Sequence, residues 1–379
     1  MLITRLQISN LRNHSDTKLV PNANLNVFYG PNGSGKTTIL EAVSIAGLTK
    51  TFTSSSDAAL IQQGKKEYIV NAEALNHLDL PYKINIEYRL NQKKQIVNGN
   101  GENLLPKEVI GQIPLIYLSP DQKNITGGSP ENRRDFVDRI LSQSSRLYLD
   151  LLIKLRKVLK QRNALLSKFK QKEYFEASSY ESWTNMFIEL ASQIVIRRAE
   201  FVNNFKDYFK SAYSEITNKS EEVELFYDAN TIPNFDENKY SQEEIKEFYH
   251  KKAELRRTAE LARGQTLFGP QKDEIRIQIN KGIAREIASQ GQHKSLLIAL
   301  IFAEFEYLLD LKNEVPVVLL DDIFSELDDY RTSLVLEKVL SKETQTFITL
   351  TNPELIKINE NFKEKITFFE LKEGIVTKK

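Results

Sequence analysis

The sequence predicts an α/β fold in which both ends of the chain build one domain and a helical arm is inserted between them. The N-terminal third carries apolar patterns of single-strand length, bounded by turn residues such as Asn98–Gly101. A long central segment has helical periodicity, and strand patterns return after it. The predicted N-terminal strands are Leu2–Ser9, Leu25–Tyr29, Glu67–Leu75 and Tyr82–Leu90.

The central segment predicts helices because its leucines and aromatic residues recur every three or four positions. One apolar stripe covers Leu152–Leu166 and is interrupted by Arg162, and a longer one covers Trp183–Tyr208 and is interrupted at Arg197. Such stripes are typical of the seam of an antiparallel helix pair and not of a ligand site. The best candidate for a loop inside this arm is Thr231–Ser241.

Strand patterns return near Leu267 and include the apolar runs Val315–Leu320 and Gln345–Leu350. The sequence therefore predicts three segments. They are residues 1–130 as the N-terminal part of a head domain, residues 131–265 as the helical arm, and residues 266–379 as the C-terminal part of the head.

The composition is that of an ordinary globular protein, with 41% hydrophobic and 27% charged residues among 379. The absence of cysteine excludes disulfides and thiolate metal sites and fits a reducing compartment, so we expect a cytoplasmic protein. No apolar run approaches the ~20 residues of a membrane span, and the N-terminus is typical of a first strand and not of a signal peptide. We therefore expect no membrane partner.

One motif indicates nucleotide binding. The stretch Gly30-Pro31-Asn32-Gly33-Ser34-Gly35-Lys36-Thr37 fits the P-loop pattern G-x-x-x-x-G-K-[ST], between an apolar strand and the apolar helical pattern Ile39–Ala46. Its glycines let several N–H groups face one phosphate, and the helix N-terminus adds partial positive charge. We expect Lys36 to reach the β- and γ-phosphates of ATP and Thr37 to bind Mg²⁺.

A second motif supplies the acids of such a site. The apolar run Pro316–Leu320 ends in Asp321 and Asp322, which is the pattern of a Walker B strand buried on both faces. Asp321 is predicted to hold Mg²⁺, and Asp322 to orient or deprotonate the attacking water.

Two further runs specify the class of P-loop protein. Ser289-Gln290-Gly291-Gln292 opens a helical pattern and resembles the ABC signature, whose Ser and Gly bind the γ-phosphate held by another subunit. Ser325-Glu326-Leu327-Asp328 follows the Walker B acids and resembles the D-loop that links two such sites. The sequence thus predicts a P-loop ABC-type ATPase head assembled from N- and C-terminal segments, with an inserted α-helical arm domain.

In this order the motifs make the chain resemble the RecF family of bacterial recombination mediators, within the ABC/SMC ATPase group, over essentially its whole length. The block Gly128–Asp138, with its Gly-Ser-Pro and Arg-Arg runs, is more specific to that family than the Walker motifs are. The remaining matching segments are Asn10–Asn13, Ser119–Asp121, Gly269–Asp273 and Leu319–Asp328.

The chain departs from the family pattern at several positions. Gln271 and Lys272 replace a His-Arg pair, so no role of that pair is carried over. The switch histidine of ABC proteins is absent from Thr349–Asn352, as in RecF-like chains generally, so a threonine or a water must complete the γ-phosphate contact. Asp322 stands where transporters have Glu, which suggests slow hydrolysis suited to a timer.

The resemblance implies a weak ATPase that uses ATP and Mg²⁺ as a switch. Such a protein binds double-stranded or gapped DNA as an ATP-closed homodimer. With RecR-like and RecO-like proteins, it helps load a recombinase at single-strand gaps in DNA repair and replication, and slow hydrolysis times its release. The implied nucleotide-binding residues are the P-loop through Thr38 together with Arg12, Ser289, Gly291, Gln292 and Asp328. The implied catalytic residues are Lys36 and Asp322, the Mg²⁺ ligands are Thr37 and Asp321, and the Q-loop residue is Asp121 or Gln122.

Charge distribution suggests where DNA binds. The net charge of +1 conceals twelve Lys and Arg against four acids in residues 131–172, and ten acids against three bases in residues 215–247. The basic segment either contacts the phosphate backbone or is a solvated helix face, and it can also dock the acidic segment. For the first two arginines of the block, pairing with Asp135 and Asp138 is the alternative. The candidate DNA contacts are Arg133, Arg134, Arg139, Lys154, Arg156, Lys157 and Lys160.

Three other classes of protein fit less well. A transporter ATPase would carry a transporter-type signature and a switch histidine. A non-enzymatic scaffold would have lost the P-loop lysine or the Walker B acids, which are intact here. An SMC-like ABC ATPase, acting in chromosome organisation or as a nuclease partner, would have a longer arm and usually a hinge, and it is the principal alternative.

Overall fold

The structure is a computed structural model that describes residues 1–171, 177–218, 220–233, 235, 239–356 and 364–379. The chain divides into two compact units, one of Met1–Lys123 with Lys294–Lys379 and one of Asn124–His293. Both ends of the chain thus contribute to the first unit. The divisions differ from the predicted segments, because residues 124–130 and 266–293, which the sequence assigned to the head, fall in the second unit.

Strands and helices are both present in each unit. The strands are β1 (Leu2–Leu11), β2 (His14–Leu19), β3 (Leu25–Tyr29), β4 (Glu67–Leu75), β5 (Pro81–Arg89), β6 (Gln95–Asn98), β7 (Leu115–Leu118), β8 (Val223–Asp228), β9 (Glu274–Ile279), β10 (Gly282–Ile283), β11 (Val317–Asp321), β12 (Thr346–Leu350), β13 (Ile366–Lys372) and β14 (Ile375–Lys378).

The α-helices are α1 (Lys36–Leu48), α2 (Asp57–Leu60), α3 (Pro106–Val109), α4 (Asn124–Gly127), α5 (Pro130–Ser144), α6 (Arg146–Lys170), α7 (Ala177–Thr217), α8 (Gln242–Arg263), α9 (Ala284–Ile287), α10 (Gln290–Lys312) and α11 (Asp329–Ser341). Short 3₁₀ turns cover Pro120–Lys123, Pro270–Lys272 and Pro353–Leu355. Among the described helices, none is both long and apolar enough to cross a membrane.

Two sheets form the first unit. One is antiparallel, in the order β2-β1-β4-β5-β6, and the other has the order β14-β13-β3-β12-β11-β7, in which only β14 is antiparallel to its neighbour. The strands β3, β11 and β12 are buried on both faces, which explains their unbroken apolar runs. Helix α1 is buried around its whole circumference because it packs against strands of both sheets.

The predicted strands of this unit are confirmed, with shifted ends. β1 extends two residues past Ser9, and β11 begins at Val317 and not at Val315. Pro316 has no N–H to donate to a neighbouring strand, and the Val315 carbonyl accepts from the N-terminal ammonium group of Met1 at 3.0 Å instead. For both reasons the strand begins two residues later than predicted.

The second unit is built on a bundle of α6, α7 and α8. The α6–α7 pair is antiparallel as predicted, because Tyr148 near the start of α6 lies beside Arg198, whereas Arg162 further along α6 lies beside Thr184. Helix α8 packs against both and makes the bundle three-stranded, which the sequence did not indicate. Of the predicted loop Thr231–Ser241, residue 234 and residues 236–238 lie outside the described residues, and the others are in neither helix nor strand.

A three-stranded antiparallel sheet, β10-β9-β8, completes the second unit. Strand β9 was predicted as part of the head, but it pairs with β8, which arises from the acidic segment at the end of α7. This pairing joins residues about fifty positions apart along the chain. It is the physical reason why residues 266–293 belong with the helical arm.

Buried charges cross-link the helices of this unit. Arg162 interrupts its apolar stripe without leaving the core, because it pairs with Glu260 at 2.6 Å and both side chains are 0% exposed. In the second stripe the buried arginine is Arg198, which pairs with Asp138, whereas Arg197 is exposed. The sequence showed Arg162 and Arg197 only as interruptions of the two stripes, and it indicated neither the burial of Arg162 nor that of Arg198.

Asp273 is a fully buried carboxyl group in this unit. It accepts hydrogen bonds from the Tyr227 hydroxyl and from the Asn230 N–H, the latter at 3.0 Å. Burial raises the pKa of Asp273 to about 6, and Arg198 and the hydrogen bonds oppose the shift without cancelling it. Between pH 3.8 and about pH 6, the native state therefore keeps a proton on Asp273 that the unfolded chain has lost.

The difference between the folded and unfolded pKa of Asp273 predicts that this residue lowers the free energy of unfolding as pH rises. Because the folded pKa is raised, its stability contribution is complete below the unfolded pKa of 3.8 and is lost as pH rises towards 6. Asp273→Asn removes this titration, so the free energy of unfolding of the variant relative to wild type should rise between pH 4 and pH 7, by up to about 3 kcal/mol. Urea denaturation at both pH values measures it. An equal difference at the two pH values would contradict the assignment.

Candidate nucleotide site

The P-loop connects β3 to α1 at the carboxyl edge of the parallel sheet. The register aligns Tyr29 with Leu350 of β12 on one side and with Glu370 of β13 on the other. Asp321 of β11 aligns with Thr349 of β12. Four adjacent strands therefore end level with one another, and the turns that follow them lie at one edge.

Lys36 is held by its own loop. Its Nζ donates to the carbonyl oxygens of Gly30 and Pro31 at 2.8 and 2.9 Å. Burial lowers the pKa of Lys36, and the negative charges of Asp322 and Asp321 oppose that shift. The ammonium group is thus fixed at the loop, as a phosphate-binding lysine must be.

Thr37 and Asp321 meet as the two motifs predict. The Thr37 hydroxyl donates to Asp321 Oδ1 at 2.8 Å, and the Thr349 hydroxyl donates to the same oxygen at 2.8 Å. Burial raises the pKa of Asp321, while these two hydrogen bonds lower it. The P-loop and the Walker B strand are therefore one site, and a third strand contributes a residue between them.

Thr349 also positions the second acid. The Asp322 N–H donates to Thr349 Oγ1 at 2.9 Å, and Asp322 itself has a φ of 48°, in the left-handed region. A non-glycine residue in this conformation is strained and persists only where its surroundings hold it. The hydrogen bond to Thr349 supplies that restraint. The sequence left the γ-phosphate contact open between a threonine and a water, and Thr349 lies on the cleft wall.

An open cleft of about 610 Å³ lies over these groups. It is lined by Arg12, Asn13, Asn32, Gly33, Gly35, Lys36, Thr37, Thr38, Asp322 and Thr349. Its walls therefore come from the P-loop, from the Walker B strand, from β12 and from the turn between β1 and β2.

Arg12 reaches the cleft from the β1–β2 turn. Its guanidinium group makes a two-point contact with the Glu41 carboxylate at 2.6 and 2.7 Å and donates to Ser55 Oγ at 3.0 Å. The Glu41 side chain is 0% exposed and that of Arg12 is 36% exposed. Glu41 thus orients a cation at the cleft wall. Neither Glu41 nor its role could be found from the motifs alone.

The residues fit ATP and Mg²⁺. Ser34 Oγ is buried without a hydrogen-bond partner in the P-loop, which leaves a polar atom for a ligand to satisfy. Thr37 and Asp321 present the oxygen ligands that Mg²⁺ prefers. Within the described residues, no group of three or more His, Asp or Glu side chains could hold a metal, so phosphate oxygens and water would have to complete the coordination of Mg²⁺.

The signature residues open α10 and belong to the second unit, which ends at His293. The Gln292 N–H donates to Ser289 Oγ at 3.2 Å, and the Ser289 N–H donates to Gln292 Oε1 at 2.7 Å, which is a reciprocal cap of the helix N-terminus. Ser289 is exposed and Gly291 is half-buried. The Gln292 amide also donates to Glu221 at 2.5 Å. The signature is therefore an ordered, accessible helix end.

Asp328 has a capping role in the first unit. Its carboxylate accepts the Arg331 N–H at 2.9 Å at the start of α11 and forms an ion pair with the Arg331 guanidinium group. The Q-loop candidates Asp121 and Gln122 lie in the 3₁₀ turn after β7, the neighbour of β11 in the sheet. They are near the correct edge, but neither lines the cleft.

The basic candidates separate into two groups. Arg133 is 6% exposed and pairs with Glu274, so its guanidinium group is occupied within the unit and does not present a surface to DNA. Arg134 donates to the Asp273 carbonyl at 2.7 Å, and Arg139 stacks on the Phe136 ring. Both arginines of the Arg-Arg pair thus donate to acceptors outside their own helix. The exposed group on α6 comprises Lys154, Arg156, Lys157 and Lys160.

The chain is similar to known proteins over almost its whole length. Residues 2–372 match the family described as RecF/RecN/SMC N terminal domain. The chain is 35% identical to the DNA replication and repair protein RecF of Chloroherpeton thalassium over 93% of this chain and 95% of the relative. It is 31% identical to the protein of the same name from Halothermothrix orenii over 100% of this chain and 99% of that one.

Solved structures show the same likeness. A structure of the recombination mediator protein RecF with ATP, in the RecFOR pathway, is 27% identical with a TM-score of 0.90, covering 100% of this chain and 97% of that one. An Smc head bound to the C-terminal winged-helix domain of ScpA has a TM-score of 0.54 at 16% identity, covering 100% of this chain and 97% of that one, and supports the fold alone.

The hydrogen bonds of Thr349 with Asp321 and Asp322 predict that the Thr349 hydroxyl is required for ATP hydrolysis. Thr349→Val keeps the side-chain shape but leaves the Asp322 N–H and Asp321 without their shared partner, at a cost of about 1–3 kcal/mol. We expect phosphate release at saturating ATP to fall about tenfold or more, with nucleotide binding less affected. Thr349→Ser retains the hydroxyl and is the matched control. Wild-type turnover by Thr349→Val would contradict the role of this residue.

Proposed function

The chain belongs to the RecF/RecN/SMC N-terminal domain family, and from that premise we propose that it is an ATP-driven, DNA-binding recombination mediator. It would close as a dimer on duplex or gapped DNA, help load a recombinase at single-strand gaps, and leave after slow hydrolysis. The similar RecF structure with ATP is described as part of the RecFOR pathway. We therefore propose RecR-like and RecO-like partners for this chain, in the cytoplasm where the DNA lies.

One observation carries the nucleotide part of this proposal. The Thr37 hydroxyl and the Thr349 hydroxyl converge on one oxygen of Asp321, beside the P-loop lysine. Mg²⁺ held by Thr37 and Asp321 would supply neutralisation of phosphate charge. Lys36 binds and orients the phosphates from the other side, and the N-terminus of α1 adds its partial charge.

Asp322 is the residue proposed to act on water. Its carboxylate lines the cleft, and its backbone is held by Thr349, so it can orient a water or accept its proton. Aspartate is one methylene shorter than glutamate, which places the carboxylate further from a nucleophile positioned for the longer side chain. This geometry supports slow turnover, as a timer requires.

The signature supports a site shared by two copies of the chain. Ser289 Oγ accepts a backbone N–H, which leaves its O–H free to donate to an anion, and the helix end is exposed. A phosphate at this end would meet an N–H array and the positive end of the α10 dipole. We propose that this phosphate belongs to the nucleotide on a second copy.

Mixing two inactive variants tests the shared site. Lys36→Met removes the P-loop lysine, and Ser289→Arg blocks the signature with a bulky cation. If the signature serves the other subunit, a mixed dimer has one intact site, which combines the P-loop of Ser289→Arg with the signature of Lys36→Met. The mixture should therefore regain ATP hydrolysis, to about a quarter of the wild-type rate, because random pairing makes about half of the dimers mixed and each mixed dimer has one of its two sites intact. No recovery over either variant alone would refute the shared arrangement.

The exposed cations of α6 support the DNA part of the proposal. Lys154, Lys157 and Lys160 are exposed, and Arg156 is 61% exposed, with Asp135 and Asp138 within 4.0 Å. Lysines in such a row bind phosphates without reading base sequence. Arg156 is partly neutralised by its acidic neighbours, so the three lysines are the better probes.

Charge reversal on α6 tests the DNA surface. Lys154→Glu with Lys157→Glu and Lys160→Glu should weaken duplex binding and flatten its dependence on log salt, by up to about 0.9 for each DNA phosphate that the variant no longer neutralises. The control reverses Lys65, Lys66 and Lys93, which are exposed lysines of the first unit, and changes the net charge equally. Affinity at several salt concentrations separates the two variants. The same weakening in both, or an unchanged salt slope, would contradict a local DNA surface on α6.

A further inference from the structure

Three consecutive carbonyl groups of the P-loop are held by residues outside it. Asn13 Nδ2 donates to the Gly33 carbonyl at 3.0 Å, and His14 Nε2 contacts the Gly35 carbonyl at 3.0 Å. The carbonyl between them, that of Ser34, accepts the Gly374 N–H at 3.2 Å. These donors come from opposite ends of the chain, the β1–β2 turn and the β13–β14 turn.

The sheet order explains how the C-terminal turn reaches this place. β13 is the parallel neighbour of β3, and Glu370 is level with Tyr29, the last residue before the P-loop. The two-residue turn Glu373–Gly374 therefore lies beside the loop that follows β3. Both turn residues have positive φ, 50° and 79°, as a tight hairpin between twisted strands requires.

The contacts are too close to be incidental. A Cβ on Gly374 would lie 2.2 Å from the Asn13 carbonyl oxygen, and a Cβ on Gly35 would lie 2.5 Å from His14 Nε2. Gly30 is packed in the same way, with a Cβ position 2.3 Å from the Leu371 carbonyl oxygen at the end of β13. The neighbours of Gly374 and Gly30 are backbone atoms, which cannot move aside as a flexible side chain can, so the two turns and the P-loop fit in one arrangement.

His14 has the protonation state that this role needs. A carbonyl oxygen only accepts, so Nε2 carries the proton, and Nδ1 then accepts from the Thr17 hydroxyl at 2.8 Å. Burial lowers the pKa of His14, which favours this neutral form. The ring is fully buried and does not line the cleft. Any effect of His14 on a nucleotide therefore passes through the Gly35 peptide.

The orientation of a peptide plane links these carbonyls to phosphate binding. In a trans peptide the C=O and the following N–H point in opposite directions. Holding the Ser34 and Gly35 carbonyls from behind therefore directs the N–H groups of Gly35 and Lys36 the other way, which is the orientation of a phosphate-binding nest. A loop already held in this form loses less conformational entropy when an anion binds.

We propose that Asn13, His14 and Gly374 form a carbonyl clamp, a set of positioning residues that pre-organise the P-loop for the nucleotide phosphates. The C-terminal hairpin β13–β14 is thus part of the nucleotide site although it contributes no lining side chain. The inference rests on nucleotide binding at the P-loop, as proposed above. It adds that the affinity is set partly by the last residues of the chain.

A matched pair of glycine substitutions tests the clamp. Gly374→Ala and Gly101→Ala place the same methyl group in hairpin turns with nearly equal φ, 79° and 83°, but nothing lies within 4 Å of the Cβ position at Gly101. The backbone strain is therefore shared, and only Gly374→Ala displaces the clamp. We expect Gly374→Ala to raise the Kd for ATP with Mg²⁺ about tenfold, on the scale of about one hydrogen bond, and Gly101→Ala to leave it unchanged.

Variants of His14 provide a second, independent test of the carbonyl clamp. His14→Leu removes the donor to Gly35, whereas His14→Gln can restore it, so the Kd for ATP should rise in the first and recover in the second. Titration calorimetry well below the melting temperature of each variant supplies the Kd. If wild type itself fails to bind ATP, the proposed nucleotide function is wrong. If wild type binds and both Gly374→Ala and His14→Leu bind equally well, the clamp is overturned, even where their melting temperatures fall.

Discussion

The parallel pairing of β13, β3, β12 and β11 is the constraint on which the nucleotide site depends. These strands are adjacent and their carboxyl ends lie at the same edge of the sheet. The backbone pairing alone therefore brings the segments that follow them together. The P-loop follows β3, the Walker B acids end β11, and Thr349 comes from the strand between. A change of register between β3 and β12 or between β12 and β11 would separate Thr37 from Asp321.

In the second unit, buried ion pairs fix how the helices are aligned. Its helices are joined by buried ion pairs, of which Arg162–Glu260 and Arg198–Asp138 are the most enclosed. A buried pair of this kind adds little net stability against an apolar replacement, but removing one partner costs about 3–5 kcal/mol because it leaves a charge unpaired. The pairs therefore restrict the bundle to one alignment of its helices.

The sequence predicts well where local pattern decides the structure. The P-loop, the Walker B strand and the α6–α7 pair follow from motif spacing and periodicity, and the structure agrees with all three. It predicts poorly where a partner lies far along the chain. The sequence offered Arg133 as a DNA contact or as a partner of Asp135 and Asp138, because nothing near it indicates Glu274, 141 positions away. The pairing of β9 with β8 is hidden for the same reason.

Within the site, the missed residues act through contacts that no motif encodes. Thr349 is one of two threonines in β12, and its contacts with Asp321 and Asp322 become visible only when β12 is placed between β3 and β11. Glu41 lies on a helix that is buried on every side, so its pattern indicates core and not a partner for Arg12. Asn13 ends the matching segment Asn10–Asn13 and His14 follows it, but their targets are carbonyl groups, which carry no sequence signal.

The central claim is that Thr37 and Asp321 complete a Mg²⁺-dependent ATP site with the P-loop. Titration calorimetry of ATP into wild type and into Thr37→Val, each with Mg²⁺ and with a chelator in its place, tests this most directly. Wild type should bind ATP more tightly with Mg²⁺, by about tenfold or more as expected for a metal that neutralises phosphate charge, and Thr37→Val should lose that enhancement. Equal affinity of wild type with Mg²⁺ and with the chelator would contradict the account.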